Sequence, residues 1–335
     1  MAAKWNWRKH TGGPAIEFQG YTDFSSMTPV RGLVRETIQN AFDARRDGAS
    51  GPPKMSFKFD TVDDAVRDKY LNADLTRHLE AGLVQKEDDH AHFYESLRDH
   101  GTATWIEELT ILEVADRNTT GLNGDITKTI SGRVPDPDNV FRQFHHAWGV
   151  SDGGTNRGGS WGYGKAVTPF ASKIKSFFAL SVRDKLTSKT PDLDYSLMGQ
   201  SIIKNHHLAH SDDLWLWHGY YSIQDTSPEK KDLALTSSQQ TEVDEFIADF
   251  NVQGRTLAED DRGLSLIIPY PKDDITPVAI AKEVLVNYIH LLLTGRLEVE
   301  INDSRTSGAT WNLTASNCLQ WLDAKDATHG ALLGW

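Results

Sequence analysis

The sequence predicts a mixed α+β sandwich, with helices on one face of a mostly antiparallel sheet. Three observations lead there. Short segments that alternate apolar and polar residues, the period of a half-buried strand, recur along the chain. Other segments repeat apolar residues at helical spacing. The two kinds are interleaved without the regular strand–helix alternation that a parallel sheet with crossover helices needs.

The first helix is predicted over 28–46. Thr28 followed by Pro29 gives an N-cap and then a proline at the first helical position, where its missing N–H costs nothing. Val30, Leu33, Val34, Ile38, Ala41 and Phe42 recur at helical spacing, and "RRDGASGPP" stops the helix at Gly48 and the proline pair. "KMSFKFDTV" (54–62) alternates as a strand. Residues 63–100 are charged and helical in pattern, an expected insertion on the surface. "WIEELTILEVAD" (105–116) reads as a strand running into a polar loop. A Gly-, Asp- and Asn-rich region covers 117–160, broken by the amphipathic "DNVFRQFHHAWGV". "KIKSFFALSVRD" and "LWLWHGYYSI" read as strands and "QQTEVDEFIADF" as a helix. "GLSLIIPY" (263–270) is a buried strand, "PVAIAKEVLVNYIHLLLTG" (277–295) a long apolar helix, and "RLEVEIND" a further strand. There is no internal repeat and no low-complexity tract.

Composition narrows the function classes. The 335 residues, 39% hydrophobic and 24% charged, are those of an ordinary soluble protein with one large domain or two modest ones. The ten Trp residues imply an extensive core or an aromatic surface for a partner. No apolar run reaches bilayer length, and "MAAKWNWRKHTGG" lacks the apolar core of a signal peptide, so a cytoplasmic protein is expected. Cys318 is the only cysteine, which excludes an internal disulfide and a multi-cysteine zinc site; a small core residue is expected there. A net charge of −12 argues against holding nucleic acid by bulk attraction. The basic stretch "KIKSFFALSVRDKLTSK" (173–189) reads as a solvated strand edge. "NHHLAHSDD" offers His206, His207, His210, Asp212 and Asp213. It lacks an H-E-x-x-H pattern and a third ligand, so a surface loop is expected.

Three stretches carry chemistry. "RETIQNAFDA" (35–44) places Glu36, Asn40 and Asp43 on one helix face. That face is either a polar face in water or a holder for a metal and a water molecule beside a nucleotide. "VADRNTTGLNG" (114–124) delivers Asp116 from a strand end into a loop. A carboxylate there can accept a hydrogen bond from an exocyclic amine such as that of adenine. Gly121 allows close backbone approach to a flat ring, and Asn118 tolerates left-handed geometry. An Asx-type turn closing a hairpin is the plain alternative. In "GGSWGYGKAVTPF" (158–170), Gly159, Gly162 and Gly164 free backbone N–H groups to wrap an anion. A following helix adds its positive end and Lys165 a point charge. The spacing approaches a P-loop, but Ala166 stands where Ser or Thr should ligate magnesium, and no strand leads in. A surface turn is the alternative.

Taken in this order, the motifs resemble the GHKL superfamily of ATPases, which includes gyrase B, MutL, chaperones of the Hsp-ninety type, histidine kinases and the MORC proteins. "RETIQNAFDA" is similar to its first motif and "DRNTTGLNG" to its D-x-G-x-G motif. "GGSWGYGKAVTPFAS" is similar to its glycine lid as found in bacterial MORC- and MutL-like proteins. "DRGLSLIIPY" resembles the later strand on which a small hydroxyl residue, here Ser265, lies near the adenine pocket. The resemblance spans about 30 to 270. The family's second motif has Gly two and four residues after the Asp; here those places hold Asn118 and Thr120, and Gly121 follows.

The resemblance implies a two-layer Bergerat sandwich over 1–272, with a lid over 122–158, then the start of a transducer-like region over 273–335, which breaks off at "ALLGW". It implies ATP and Mg2+ as ligands. Asn40 would bind the magnesium through its amide oxygen, and Glu36, one turn earlier, would take the proton of the attacking water. That places base and metal on the order of 5–6 Å apart. Asp43 would support the pocket. Asp116 would read adenine, with Asn118, Thr120, Gly121 and Ser265 around it. Gly159, Ser160, Trp161, Gly162, Tyr163 and Gly164 would close over the triphosphate, with Lys165 neutralising charge as it develops. The implied activity is ATP hydrolysis that gates an ATP-dependent homodimer and an effector protein, or DNA through a partner, with no membrane involved. Bacterial DNA repair, restriction and phage defence are the settings the analogy suggests. A non-hydrolysing ATP switch and a chaperone-like ATPase are the alternatives. A histidine kinase is disfavoured because His10 sits in "RKHTGG" rather than on a long helix.

Overall fold

A computed structural model describes residues 2–12, 28–45, 48–49, 51–83, 108–126, 139–146, 166–183, 195–227, 231–255, 261–306 and 309–323. The described strands are β1 (Lys4–Lys9), β2 (Lys54–Val62), β3 (Leu109–Arg117), β4 (Ser176–Val182), β5 (Tyr195–Ile202), β6 (His206–His207), β7 (Leu214–Gln224), β8 (Asp232–Leu233), β9 (Gly263–Pro269), β10 (Glu298–Asp303) and β11 (Ala309–Leu313). They form one sheet in the order β1-β7-β5-β4-β9-β3-β2-β10-β11, with β6 and β8 paired to β7 off that path. Every described pairing is antiparallel except that of β10 with β2, which runs parallel from Glu298↔Lys54 to Asp303↔Phe59. The mostly antiparallel α+β architecture is therefore as the sequence predicts.

The described helices are α1 (Pro29–Asp43), α2 (Asp64–Tyr70), α3 (Ala73–Leu83), α4 (Val140–His146), α5 (Val167–Ala171), α6 (Gln240–Asp249), α7 (Pro277–Leu293) and α8 (Cys318–Asp323). The expectation that helices occupy one face alone is not met, and the alternation of side chains along the central strands shows why. On β4, Phe177 and Ala179 enter one core while Phe178 and Leu180 enter another. On β3, Leu112 and Val114 divide from Leu109 and Ile111 in the same way. A sheet apolar on both faces needs a cover on both.

The first core is closed by Val30, Leu33, Val34, Ile38 and Ala41 of α1 and by Ile280, Ala281, Val284 and Leu285 of α7. The second is closed by Leu75, Leu79 and Leu83 of α3 and by Val243 and Phe246 of α6, with Phe250 just beyond. The part of the predicted surface insertion within 63–83 is thus a structural layer, its charges on the outside of an apolar stripe. In this second core Phe178 stands 5.4–6.1 Å, ring centre to ring centre, from Trp5, Tyr70, Tyr221, Phe246 and Phe250. The Trp5 indole donates to Tyr70 O at 2.7 Å. Each such aromatic contributes roughly 1.5–3 kcal/mol by burial.

Two other expectations change. The described part of the basic stretch, 173–183, holds no strand edge: β4 lies between β5 and β9, buried throughout, and Lys175 and Arg183 at its ends are buried too. The segment from 273, expected to begin a following region, places β10 and β11 in the same sheet and packs α7 against α1. Cys318 is buried, as a small core residue should be. Among the described residues no helix is long and apolar enough to cross a membrane.

Candidate functional site

α1 is amphipathic, and its apolar stripe decides where its polar face goes. Leu33, Val34, Ile38 and Ala41 are fully buried, and the Thr37 hydroxyl turns back to Leu33 O at 2.7 Å. Glu36 is consequently half-buried, and Asn40 and Asp43 are exposed. The helix ends at Ala44, whose N–H reaches Asn40 O at 2.9 Å.

β3 brings the second motif to that end. Thr120 N–H donates to Ala44 O at 2.9 Å, and Arg45 and Thr119 form an antiparallel bridge. Asn118 takes the left-handed conformation expected of it, with φ 63°. Its amide donates to Gly51 O at 2.8 Å and Pro52 O at 3.1 Å, which ties the chain leaving α1 to the same loop. Gly121 has φ 66°, and a Cβ there would stand 2.6 Å from Ser181 Oγ and Val182 O. The close approach it allows is to β4 of the protein itself rather than to a ring.

Asp116 shares the α1 face of the sheet with Val114 and is 8% exposed. Its Oδ1 accepts from Thr119 Oγ at 2.5 Å and from Leu264 N–H at 3.0 Å. Among the described residues no donor reaches Oδ2. Gly263 has φ 148°, and a Cβ there would overlap Asp116 O and Oδ1 and stand 2.9 Å from Thr119 Oγ. Burial pushes the Asp116 carboxyl up from the usual range; the Arg255 guanidinium opposes this most, followed by the two hydrogen bonds.

Ser265 is placed elsewhere. It pairs with Ala115 and shares a face with Ile267, so its side chain lies on the opposite side of the sheet from Asp116. Its hydroxyl donates to Glu113 Oε1 at 3.1 Å and accepts from Arg255 Nε at 2.8 Å. Arg255 also donates to Asp116 O and Asp261 O, each at 2.8 Å, and Gln253 N–H meets Glu113 Oε2 at 3.2 Å. Burial raises Glu113 and lowers Arg255, and their mutual attraction counters both shifts.

The glycine loop, Gly159, Ser160, Trp161, Gly162, Tyr163, Gly164 and Lys165, lies outside the described residues. α5, which follows it, packs against α1 and sends Val167 and Ala171 into the first core. Of the expected lid, 122–126 and 139–146 are described, and both are packed. Leu122, Ile126 and Phe141 share a core cluster, and Arg183 donates to Leu122 O and Gly124 O. The expected surface loop "NHHLAHSDD" begins with β6, where buried His206 bonds His78 at 2.7 Å. Among the described residues no group of three or more His, Cys, Asp or Glu could hold a metal ion.

No protein-family model matches the chain, and no curated protein matches it. The residues around Asp116 therefore carry the functional reading by themselves. Thr119, Gly263 and the Leu264 N–H complete its surroundings. Thr119 is legible in the sequence, because a hydroxyl three residues after an Asp commonly bonds it locally. Arg255 carries no such signal, since its link to Asp116 spans 139 residues and its nearer partners, Ser265 and Asp261 O, follow no local motif.

Proposed function

We propose that the chain binds Mg·ATP between the polar face of α1 and Asp116 and hydrolyses it. The observation that carries this reading is the direct bonding of the end of α1 to the loop that follows Asp116, through Thr120 N–H to Ala44 O and the Arg45–Thr119 bridge. It joins the C-terminal end of the helix that carries Glu36, Asn40 and Asp43 to the loop that follows Asp116, whose Oδ2 meets no donor among the described residues. Asp116 Oδ2 accepts the exocyclic amine of adenine. Glu36 takes the proton of the attacking water, and Asp43 borders the pocket. The Asn40 amide oxygen suits magnesium, a hard cation that takes oxygen ligands and shares them with phosphates. When bound, that ion offsets phosphate charge. By the same resemblance, the glycine loop and Lys165, which lie outside the described residues, would meet the phosphates. Nucleotide-dependent pairing of two copies and the gating of an effector belong to the same reading, by analogy with the superfamily the motifs resemble.

The test is phosphate release from Mg·ATP by purified protein, beside its Glu36→Ala variant. Wild type is expected to turn over, and the variant to bind ATP without doing so. Hydrolysis by Glu36→Ala at the wild-type rate removes Glu36 as the base. ATP binding by wild type with no phosphate release leaves a nucleotide switch in place of an enzyme.

A further inference from the structure

The buried cluster behind the proposed purine contact is costly to build. Arg255 is 5% exposed and Glu113 2%, and each is a full charge removed from water. A strand end alone does not need them. Their placement is specific: the guanidinium uses all three of its nitrogens. Nε meets Ser265 Oγ, Nη1 meets Asp261 O, and Nη2 meets Asp116 O. Ser265 passes the link to Glu113, and Gln253 N–H holds the other Glu113 oxygen. Arg117 donates to Gln253 O at 2.9 Å and faces Asp261 at 3.7 Å, while Lys58 lies opposite Glu113 in the register of β2 and β3. The ends of β3 and β9 are thereby fixed from the face opposite the ligand, directly beneath Asp116.

We propose that Arg255 is a positioning residue for the purine subsite, fixing the Asp116 carboxylate as an acceptor for an exocyclic amine. This rests on the nucleotide reading given above. A carboxylate accepts from the 6-amino group of adenine and repels the 6-oxo group of hypoxanthine. A protonated carboxyl can instead donate to the 6-oxo group. Arg255, whose Nη2 meets Asp116 O at 2.8 Å, is the cation that most opposes the turn toward the neutral acid that burial imposes on Asp116. The choice between the two bases therefore passes through a residue that touches neither.

The experiment measures binding of Mg·ADP and Mg·IDP by calorimetry to the full chain and to Arg255→Met and Arg255→Lys. Wild type is expected to prefer ADP. Arg255→Met is expected to lose about tenfold or more of that preference, with ADP affinity beginning to fall at a higher pH than in wild type as pH is lowered. A purely structural defect would weaken both nucleotides equally and leave their ratio alone. Arg255→Lys serves if Arg255→Met does not fold, since it keeps the charge but cannot reach three separated acceptors at once; its ratio is expected to fall as well. An ADP/IDP ratio within about twofold of wild type in the folded variant overturns the proposal and leaves nucleotide binding intact. Failure of wild type to bind ADP at all overturns the underlying reading instead.

Discussion

Replacing Gly263 with alanine should displace the Asp116 carboxylate and destabilise the fold by a calculable amount. Two costs add. A side chain at φ 148° enters a backbone region that L residues avoid, at roughly 1–2 kcal/mol. The new methyl also meets Asp116 O and Oδ1, atoms held by the β3–β9 ladder and by Arg255, so the neighbours cannot withdraw cheaply. Overpacking of that kind costs about 1–3 kcal/mol. The sum, about 2–5 kcal/mol, corresponds to a fall in Tm of roughly 3–7 °C for a chain of this size. Gly295→Ala is the control. Its φ of 64° is also left-handed, but nothing lies within 4 Å of its added Cβ, so only the backbone cost applies. Thermal unfolding followed by circular dichroism compares the two variants, and Mg·ADP titration reports whether the carboxylate has moved. Equal losses of Tm in Gly263→Ala and Gly295→Ala would refute the claim that Gly263 is required by its contact with Asp116.

Two further outcomes follow from the second core. Phe178→Ala removes the ring at the centre of five aromatic neighbours, and urea unfolding should show a loss of about 3–5 kcal/mol; a loss near 1 kcal/mol would mean that the cluster closes up. Burial, with smaller contributions from His206 and Arg77, pushes His78 down to about 3 from an ordinary 6.5. The unfolded chain therefore takes up that proton first. This contribution to stability is full above pH 6.5 and is lost as pH falls from there toward 3. In His78→Phe the urea midpoint should consequently drop less between about pH 7.5 and about pH 5 than in wild type; an equal drop would place the proton uptake elsewhere.

The elements that the sequence predicts well are those whose apolar residues keep a single period. α1 shows its apolar stripe in Leu33, Val34, Ile38 and Ala41, and β2 shows Met55, Phe57 and Phe59 at alternate positions facing the first core, although Ser56 and Lys58 between them are buried too. β5 escaped because it is buried on both faces yet carries Gly199, Gln200 and Ser201, so neither alternation nor a continuous apolar run marks it. α3 reads as part of a surface insertion because the charged residues of the wider stretch 63–100 mask the stripe of Leu75, Leu79 and Leu83. At the candidate site, Asp116 and Asn118 were legible because their geometry is local. Ser265 was assigned to the pocket by its strand, but the face on which it projects depends on register with β3, which the sequence does not encode locally.

The sheet is completed by partners that lie far apart along the chain. β1 runs against β7, and β10 lies parallel to β2. On a ribosome, β2 must wait for β10, more than two hundred residues later in the sequence, to emerge before its outer edge is occupied. Until then it offers Met55, Phe57 and Phe59 beside unpaired backbone, a template for joining neighbouring nascent chains. Products that terminate ahead of Glu298 should for this reason accumulate as aggregates, and the complete chain should gain most from chaperones that shield emerging segments.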